Sequence, residues 1–279
     1  MKDQKVWFIT GASKGFGLTM VKQLLNGGHK VAATSRNIND LEKAVGYTGD
    51  QFLPIAVSLT SEDSVAEAIA KTITTFGRID VVVNNAGYGL IGGLEELSDA
   101  ESRANFDVNV FGSLNVIRKA LPQLRKQQSG HIINIASIGG FTGAFSGFGI
   151  YCATKFAMHG FTEALAQEVK PFGIKTTVVS PGYFCTDFLT ADSLSVPKNP
   201  IAEYQSVRDV QAAHQQDINH NQPGDPEKGA AAIIAITEVE NPPLHFFLGQ
   251  DSFDMAHVKM DSVKADLANW KDLSTSTGF

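Results

Sequence analysis

Short apolar runs alternate with longer amphipathic segments along the chain. Seven of these runs are rich in β-branched and aromatic residues, as strands are: 5–10, 30–35, 52–57, 79–84, 131–136, 175–180 and 244–249. They are apolar almost throughout rather than at every second position, which is typical of strands covered on both faces of a parallel sheet. The pattern predicts a single α/β domain with a doubly wound parallel sheet and helices on both faces.

The segments between the runs carry helix signals, and residues 61–77 show them most clearly. Ser61 is a suitable N-cap, acidic residues follow it in the first turn, and Gly77 ends the segment. We therefore expect helical stretches between the strands.

Two regions depart from this alternation. Residues 183–224, called the 183–224 segment below, show no strand signal, and a segment of that length is usually a lid or binding loop or contains irregular helices. Residues 251–279 are predicted to form a C-terminal helical extension around 261–270 that then frays, with 274–279 disordered. We therefore divide the chain into one domain, residues 1–250, and an extension, residues 251–279.

Composition and charge narrow the partners and the compartment. The chain of 279 residues is 43% hydrophobic with a net charge of −6, which argues against nucleic acid and anionic membrane as partners. The two cysteines lack metal-type spacing, and the seven histidines show no ligand clustering, so we expect no metal. The first apolar run is too short for a signal peptide or a membrane span. These features predict a cytoplasmic protein.

A glycine-rich stretch, TGASKGFG, lies between the first strand and the first helix. Its glycines permit a tight turn and close approach of the backbone to a phosphate, and the N–H groups of a helix N-terminus attract an anion. A purely structural turn would also explain three glycines, but this position favours a dinucleotide site. The candidate cofactor-binding residues here are Gly11, Ser13, Lys14, Gly15, Phe16 and Gly17.

The end of the second strand indicates which dinucleotide is bound. A carboxylate there would bind a ribose 2′-hydroxyl and repel a 2′-phosphate, but this chain has Ser35 and Arg36 instead. Arg36 and Lys14 would bind a 2′-phosphate through charge-assisted hydrogen bonds. The alternative is that both are ordinary surface charges. The pattern predicts NADP(H) as the cofactor.

The stretch GIYCATKFAMHG places Tyr151 and Lys155 four residues apart, on one face of a helix. A free phenol has a pKa of about 10, and a nearby ammonium favours the phenolate and lowers that pKa. Such a pair is suited to moving a proton near neutral pH. Taken alone, it is also explained as a lysine that extends past a packed tyrosine.

Several separated motifs together resemble the short-chain dehydrogenases/reductases over about residues 5–190. They are TGASKGFG, NNAG at 84–87, Asn109 in DVNVFG, Ser137 in INIAS, YCATK at 151–155 and SPGYFCT at 180–186. The tail more weakly resembles the branch of the 17β-hydroxysteroid and retinol dehydrogenases. The resemblance implies a single Rossmann-type domain with a seven-stranded parallel sheet, and a homodimer or homotetramer.

The resemblance also implies roles for individual residues. The catalytic tetrad would be Asn109, Ser137, Tyr151 and Lys155, with Ser137 binding the substrate oxygen and Asn109 holding a water of a proton relay. Ser58 occupies a place where the family commonly has an acid near the adenine. The other implied cofactor contacts are Asn85, Ala86, Gly87, Tyr151, Lys155, Pro181, Gly182 and Thr186.

Aromatic residues are concentrated on both sides of these motifs. Phe141 and Phe184 belong to this group, and the candidates for the substrate pocket are Phe145, Phe148, Tyr183 and Phe188. Neither 141–148 nor 183–188 contains an arginine that could bind a carboxylate of the substrate. We therefore expect a small to medium hydrophobic ketone, aldehyde or secondary alcohol as substrate.

Three functions fit the sequence. The leading interpretation is an NADP(H)-dependent carbonyl reductase or alcohol dehydrogenase in which Tyr151 is the general acid and base. A non-catalytic NADP-binding regulator is the second, although such proteins usually lose the tyrosine or the lysine. A sugar-nucleotide epimerase or dehydratase is the third, although the chain lacks the larger C-terminal substrate domain that those enzymes usually carry.

Overall fold

The seven apolar runs form the strands of one parallel sheet in the computed structural model, which describes residues 4–279. The strand order is β3-β2-β1-β4-β6-β7-β9, and two short strands, β5 and β8, pair separately. The strands are β1 Val6–Ile9, β2 Lys30–Ser35, β3 Phe52–Ala56, β4 Val81–Asn84, β5 Gly89–Leu90, β6 Gly130–Ile135, β7 Ile174–Pro181, β8 Leu194–Ser195 and β9 His245–Leu248. The predicted sheet is therefore confirmed, with small differences at the strand ends.

Helices connect the strands as the sequence predicted. They are α1 Gly15–Asn26, α2 Ile38–Val45, α3 Glu62–Phe76, α4 Asp99–Phe106, α5 Gly112–Gln127, α6 Gly149–Val169, α7 Gln205–Ala212, α8 Pro226–Ala235, α9 Gln250–Asn269 and α10 Lys271–Thr275. The caps of α3 are those expected: the Ser61 hydroxyl accepts the Ser64 N–H at 3.2 Å, and Gly77 takes a left-handed conformation. None of the helices in the described residues has the length and hydropathy needed to cross a membrane.

The core lies on both faces of the sheet, because side chains alternate along each strand. In β1, Trp7 and Ile9 pack with α1 and α8 on one face, whereas Phe8 packs with α3, α5 and α6 on the other. All three side chains are almost completely buried. Burial of both faces explains why the strands are apolar at nearly every position.

Two regions differ from their predictions in detail. The 183–224 segment contains the helix α7 and a π-helical turn, as one alternative proposed, but it also contributes the strand β8, which pairs with β5. This strand is only two residues long, which is too short for a periodic sequence pattern to predict it. The C-terminal extension begins its helix at Gln250, and α10 continues to Thr275, so the start of the stretch predicted to be disordered is helical.

The glycine loop after β1 is pressed against the end of β4. Gly11 has a φ of +65°, and a Cβ built on it would lie 2.7 Å from the Ala86 Cα. Gly15 has a φ of +55°, but a Cβ there would find its nearest atom 3.7 Å away, on Thr186. Both positions therefore favour glycine for conformation, but only Gly11 also requires it for space.

This difference is testable with a pair of variants. Gly11→Ala and Gly15→Ala each place an alanine in the left-handed region, at a cost of about 1–2 kcal/mol. In Gly11→Ala the overlap with Ala86 adds about 1–3 kcal/mol. We expect the free energy of unfolding, measured with urea, to fall further in Gly11→Ala. Equal losses in the two variants would show that the contact with Ala86 is not the constraint.

Candidate active site

A cavity of about 660 Å³ lies at the carboxyl edge of the sheet, where the chain leaves β1, β4, β6 and β7. Open parallel sheets bind ligands at this edge. Of the candidate catalytic, cofactor and pocket residues, Gly17 and Asn109 do not line the cavity. Those that do are Gly11, Ser13, Lys14, Gly15, Phe16, Ser35, Arg36, Ser58, Asn85, Ala86, Gly87, Ser137, Phe145, Phe148, Tyr151, Lys155, Pro181, Gly182, Tyr183, Thr186 and Phe188.

Hydrogen bonds fasten the glycine loop to the segment after β4. The Thr10 hydroxyl accepts the backbone N–H groups of Asn85 and Ala86 at 3.0 and 3.1 Å. The Asn85 side-chain amide in turn donates to the carbonyls of Thr10 and Gly11. Thr10 was missed as a site residue, because a buried threonine at the end of a strand is an ordinary core residue in the sequence.

One end of the cavity carries positive charge. Lys14 and Arg36 are exposed at its rim. Neither side chain forms an ion pair or a hydrogen bond with any other residue in 4–279. Two cations without protein counter-charges are suited to an anionic ligand.

The Tyr151 phenol is buried on the inner face of α6, beside Ser137 at the end of β6. Burial raises the pKa of the phenol above its usual value, and its hydrogen bond with the Ser137 side chain opposes this only in part. The Ser137 hydroxyl also accepts the Gly139 N–H at 3.1 Å. The phenol is thus protonated near neutral pH and lies next to a second hydroxyl.

Lys155 lies one helical turn from Tyr151 and is equally buried. Its Nζ donates to the Ile135 carbonyl at 2.9 Å and lies 5.7 Å from the centroid of the Tyr151 ring. Burial lowers the pKa of Lys155 to about 7. The expected lowering of the Tyr151 pKa by this ammonium is therefore not seen, because burial dominates at both groups.

Asn109 lies in a π-helical turn, Asp107–Phe111, between α4 and α5. Single π-helical turns of this kind are frequent at functional sites. The Asn109 side-chain oxygen accepts the Tyr88 N–H at 3.1 Å, and its nitrogen donates to Thr154 Oγ1 at 3.1 Å. Asn109 therefore supports the wall of the cavity behind Gly87, whose Cβ position would be 3.5 Å from Lys155 Nζ.

The other end of the cavity is mainly apolar. Phe148 and Phe188 lie against Tyr151, with ring centroids 6.1 and 5.8 Å away. Phe184 also lines the cavity, where it packs on Phe16 at 4.9 Å. Phe141 does not; its ring contacts Phe247. The aromatic residues of the 183–224 segment and those before α6 thus meet around the phenol.

Several polar or ionisable residues that line the cavity were missed in the sequence, among them Cys152, His214 and Gln222. Burial raises the pKa of the Cys152 thiol to about 11, so this thiol is unreactive at neutral pH. His214 and Gln222 belong to a polar stretch of the 183–224 segment. No periodicity in that stretch indicates which of its side chains turn inward.

A buried carboxylate holds the 183–224 segment in place. The Glu96 side chain is fully buried and accepts the N–H groups of Gly93 and Ile201 at 2.6 and 2.8 Å. It also pairs with Arg208 of α7 at 2.6 Å. Burial alone would raise the pKa of Glu96, but the two N–H groups and the guanidinium together lower it. Its negative charge is therefore retained at neutral pH.

One cluster outside the cavity has the composition of a metal site. His159 and Glu163 lie four residues apart on α6, and their ligand atoms lie within 4.8 Å of those of His245. The sequence did not reveal the cluster because His245 is distant along the chain. His159 bonds Ser180 Oγ at 2.9 Å, and burial, with nearby His245 and Lys155, lowers its pKa to about 4. The expected absence of a metal stays a prediction.

Comparisons with known proteins agree with this arrangement. The family model described as short chain dehydrogenase matches residues 5–195. The chain belongs to the short chain dehydrogenase family. This confirms the resemblance found in the sequence and makes the protein an oxidoreductase by family.

Relatives of this family cover nearly all of the chain. Oxidoreductase BOA17 of Botryotinia fuckeliana is 35% identical over 98% of this chain and 99% of its own length. The 3-ketodihydrosphingosine reductase of Bacteroides thetaiotaomicron is 37% identical over 88% of each chain. The similarity therefore includes the 183–224 segment as well as the nucleotide half.

Solved structures of the family share the fold. A short-chain dehydrogenase from Streptomyces avermitilis superposes with a TM-score of 0.90 at 36% identity, over 99% of this chain and all of that one. ElxO, solved with NADP bound, has a TM-score of 0.74 at 26% identity, over 90% of this chain and all of that one. The short chain dehydrogenase fold thus extends over the described residues.

The role of Glu96 in securing the 183–224 segment is testable by exchange of its backbone amides. Glu96→Gln keeps the size of the side chain but leaves Arg208 without its charged partner. We expect exchange of the amides in 201–211 to become about tenfold faster. Acid should act in the same way as the substitution. Because folding lowers the pKa of Glu96, its carboxylate stabilises the folded state above about pH 4, and this stabilisation is lost as the pH falls below that value.

Glu95→Gln is the matched control. Glu95 accepts the exposed Tyr204 hydroxyl at 2.6 Å, so its neutral variant removes a surface contact to the same segment. We expect little change in exchange there. Equal acceleration in the two variants would contradict a special role for the buried carboxylate.

Proposed function

We propose that the protein is an NADP(H)-dependent oxidoreductase that interconverts a carbonyl group and a secondary alcohol on a small to medium hydrophobic substrate. The observation that carries this proposal is the buried Tyr151 phenol, hydrogen-bonded to Ser137 and adjacent to Lys155, in a cavity with one cationic and one apolar end. The charged end is suited to the nucleotide and the apolar end to the substrate.

The residues at the charged end fit a dinucleotide. Any side chain on Gly11 would enter the space against Ala86, and a Cβ on Gly17 would lie 2.4 Å from the Gly11 carbonyl oxygen. These contacts hold the loop tightly against the segment after β4, at the N-terminus of α1, where backbone N–H groups attract an anion such as a pyrophosphate. NADP in the solved ElxO structure supports a nicotinamide cofactor. The unneutralised Lys14 and Arg36, with Ser35 in place of an acid, favour the phosphorylated form.

The bound nicotinamide would supply the hydride in reduction and take it up in oxidation. Ser137 and Tyr151 would hold the substrate oxygen between their hydroxyls, where both stabilise developing negative charge. Tyr151 would donate the proton in reduction. The raised pKa of its phenol keeps that proton in place near neutral pH, so the group is in the protonated form that a general acid needs. Relatives named a 3-ketodihydrosphingosine reductase and retinol dehydrogenase 8 support reactions of this type.

Lys155 has two roles in this proposal. Its lowered pKa, about 7, lets it exchange a proton near neutral pH, which suits resupply of Tyr151. Its Nζ also lies where it can bind a ribose hydroxyl of the cofactor, as the family resemblance implies. Asn109 would act as a positioning residue, since it holds the wall beside Gly87 and does not line the cavity.

The two alternatives have less support. A non-catalytic regulator has no need of a buried tyrosine and lysine with perturbed pKa values in the same cavity. An epimerase or dehydratase of sugar nucleotides would bind a sugar beside the tyrosine, whereas the apolar rings of Phe148 and Phe188 lie against Tyr151. A homodimer or homotetramer in the cytoplasm stays a prediction.

The proton-donating role of Tyr151 is tested by Tyr151→Phe. Loss of the hydroxyl removes the general acid, and we expect kcat for NADPH-dependent reduction of hydrophobic ketones to fall by about 10²–10⁴-fold. NADPH binding, followed by fluorescence, is expected to change little. Full activity in this variant would refute the mechanism.

Tyr47→Phe is the control for that experiment. The Tyr47 hydroxyl donates to Gln51 at 2.7 Å and does not line the cavity. We expect its kcat to equal that of the wild type, so that a loss confined to Tyr151→Phe is assigned to the site.

The choice of cofactor is tested by Arg36→Leu. Removal of this cation weakens attraction for a 2′-phosphate, and we expect the ratio of kcat/KM with NADPH to that with NADH to fall by about tenfold or more. Arg125→Leu, in the last turn of α5, alters the same net charge outside the cavity. A ratio that changes equally in both variants, or in neither, would contradict this contact.

A further inference from the structure

A second phenol faces the apolar end of the cavity. Tyr183 follows β7, and its hydroxyl lies 2.9 Å from His214 Nε2. The Tyr183 N–H is held by the Asp251 carboxylate at 2.7 Å, which fixes the backbone from which the side chain leaves. Both Tyr183 and His214 line the cavity. The cavity therefore contains a hydrogen-bonding group in a fixed position that the proposed chemistry does not use.

The hydrogen bonds of His214 determine what this phenol offers. His214 Nδ1 lies 2.8 Å from the Val210 carbonyl, which can only accept, so Nδ1 carries a proton. In the neutral imidazole Nε2 is then an acceptor, and the Tyr183 hydroxyl donates its proton to it. The Tyr183 oxygen is left with lone pairs and no proton to donate. It is thus an acceptor for a ligand.

Phe148 connects this acceptor with the Tyr151 phenol. Its ring packs against the His214 ring, at 4.9 Å, and against the Tyr151 ring, at 6.1 Å. A substrate whose carbonyl binds at Tyr151 would pass along Phe148 toward Tyr183. The acceptor therefore meets a part of the substrate other than its carbonyl.

Gln222 adds an unpaired polar group to the same wall. It is 92% buried and lines the cavity, and neither atom of its side-chain amide has a hydrogen-bond partner among residues 4–279. A buried amide without partners is destabilising, and a ligand group that bonds to it removes that penalty. The amide is also out of contact with solvent, so it must turn toward the cavity to reach a ligand.

We propose that the substrate carries a second polar group with a proton to donate, a hydroxyl or an amide N–H, and that Tyr183 accepts this proton while Gln222 provides a further hydrogen bond. The substrate class is thus an otherwise apolar carbonyl compound with a hydroxyl or N–H group remote from the carbonyl. His214 is a positioning residue, since it orients the Tyr183 hydroxyl. This inference rests on the proposed function and specifies its substrate.

The test uses three sets of three ketones each. Within a set, one carbon remote from the carbonyl carries a hydroxyl, a methoxy group or hydrogen. The position of this carbon relative to the carbonyl differs from set to set. We expect the wild type to show, in at least one set, a kcat/KM about 3- to 10-fold higher for the hydroxy ketone than for either analogue. The methoxy analogue separates proton donation from polarity alone. No preference for the hydroxyl in any set would overturn the proposal.

Tyr183→Phe assigns that preference to the phenol. It removes only the hydroxyl, and we expect the ratio of kcat/KM for the hydroxy and unsubstituted ketones to fall toward unity. Tyr204→Phe is the matched control, because the Tyr204 hydroxyl belongs to the same segment but bonds Glu95 at the surface. A ratio unchanged in Tyr183→Phe, or lowered equally in Tyr204→Phe, would overturn the assignment. Gln222→Leu is also expected to lower the ratio, and an unchanged ratio would exclude Gln222 from the contact.

Binding measurements separate this inference from the proposed function. Calorimetry of the NADPH-loaded protein with a mono-alcohol and the corresponding diol makes the same comparison without turnover, because the cofactor and both alcohols are already in the reduced form. Tighter binding of the diol by wild type but not by Tyr183→Phe would support the contact even if no ketone were reduced. Reduction of ketones with equal binding of the two alcohols would overturn the contact and leave the proposed function intact.

Discussion

Burial of Tyr151 and Lys155 on one face of α6 is the constraint on which the site depends. Both groups are removed from water, so burial raises the pKa of the Tyr151 phenol and lowers the pKa of the Lys155 ammonium, which favours the neutral form of each. The Ile135 carbonyl at the end of β6 satisfies the lysine, and Ser137, two residues later, satisfies the phenol. The Ile135 carbonyl and Ser137 thus lie together at the carboxyl end of β6, at the edge of the parallel sheet where the cavity opens.

The walls around this pair are held by different means. Beside the glycine loop, the Thr10 and Asn85 side chains bond to backbone groups and join the loop to the segment after β4. At the apolar end, Glu96 attaches the 183–224 segment through Ile201 and Arg208. The two ends of the cavity are thus held by different kinds of polar contact.

The sheet and the nucleotide half were predictable because their signals are local. Strands covered on both faces are apolar at nearly every position, and glycines at a turn have no substitute where φ is positive or a Cβ would collide. The 183–224 segment was less predictable. Its strand β8 is two residues long, and its inward-facing His214 and Gln222 lie in a polar stretch without periodicity.

The sequence by itself determined the parallel sheet, the glycine loop and the pairing of Tyr151 with Lys155, since each depends on residue type at fixed short spacing. Only the tertiary structure decided the protonation of that pair. The charge expected from Lys155 is opposed by burial, and burial of Tyr151 depends in part on Phe188, which belongs to the distant 183–224 segment and lies against its ring. The proximity of Tyr183 to His214, and of Glu96 to Arg208, has the same origin. These contacts join distant residues, so no local pattern contains them.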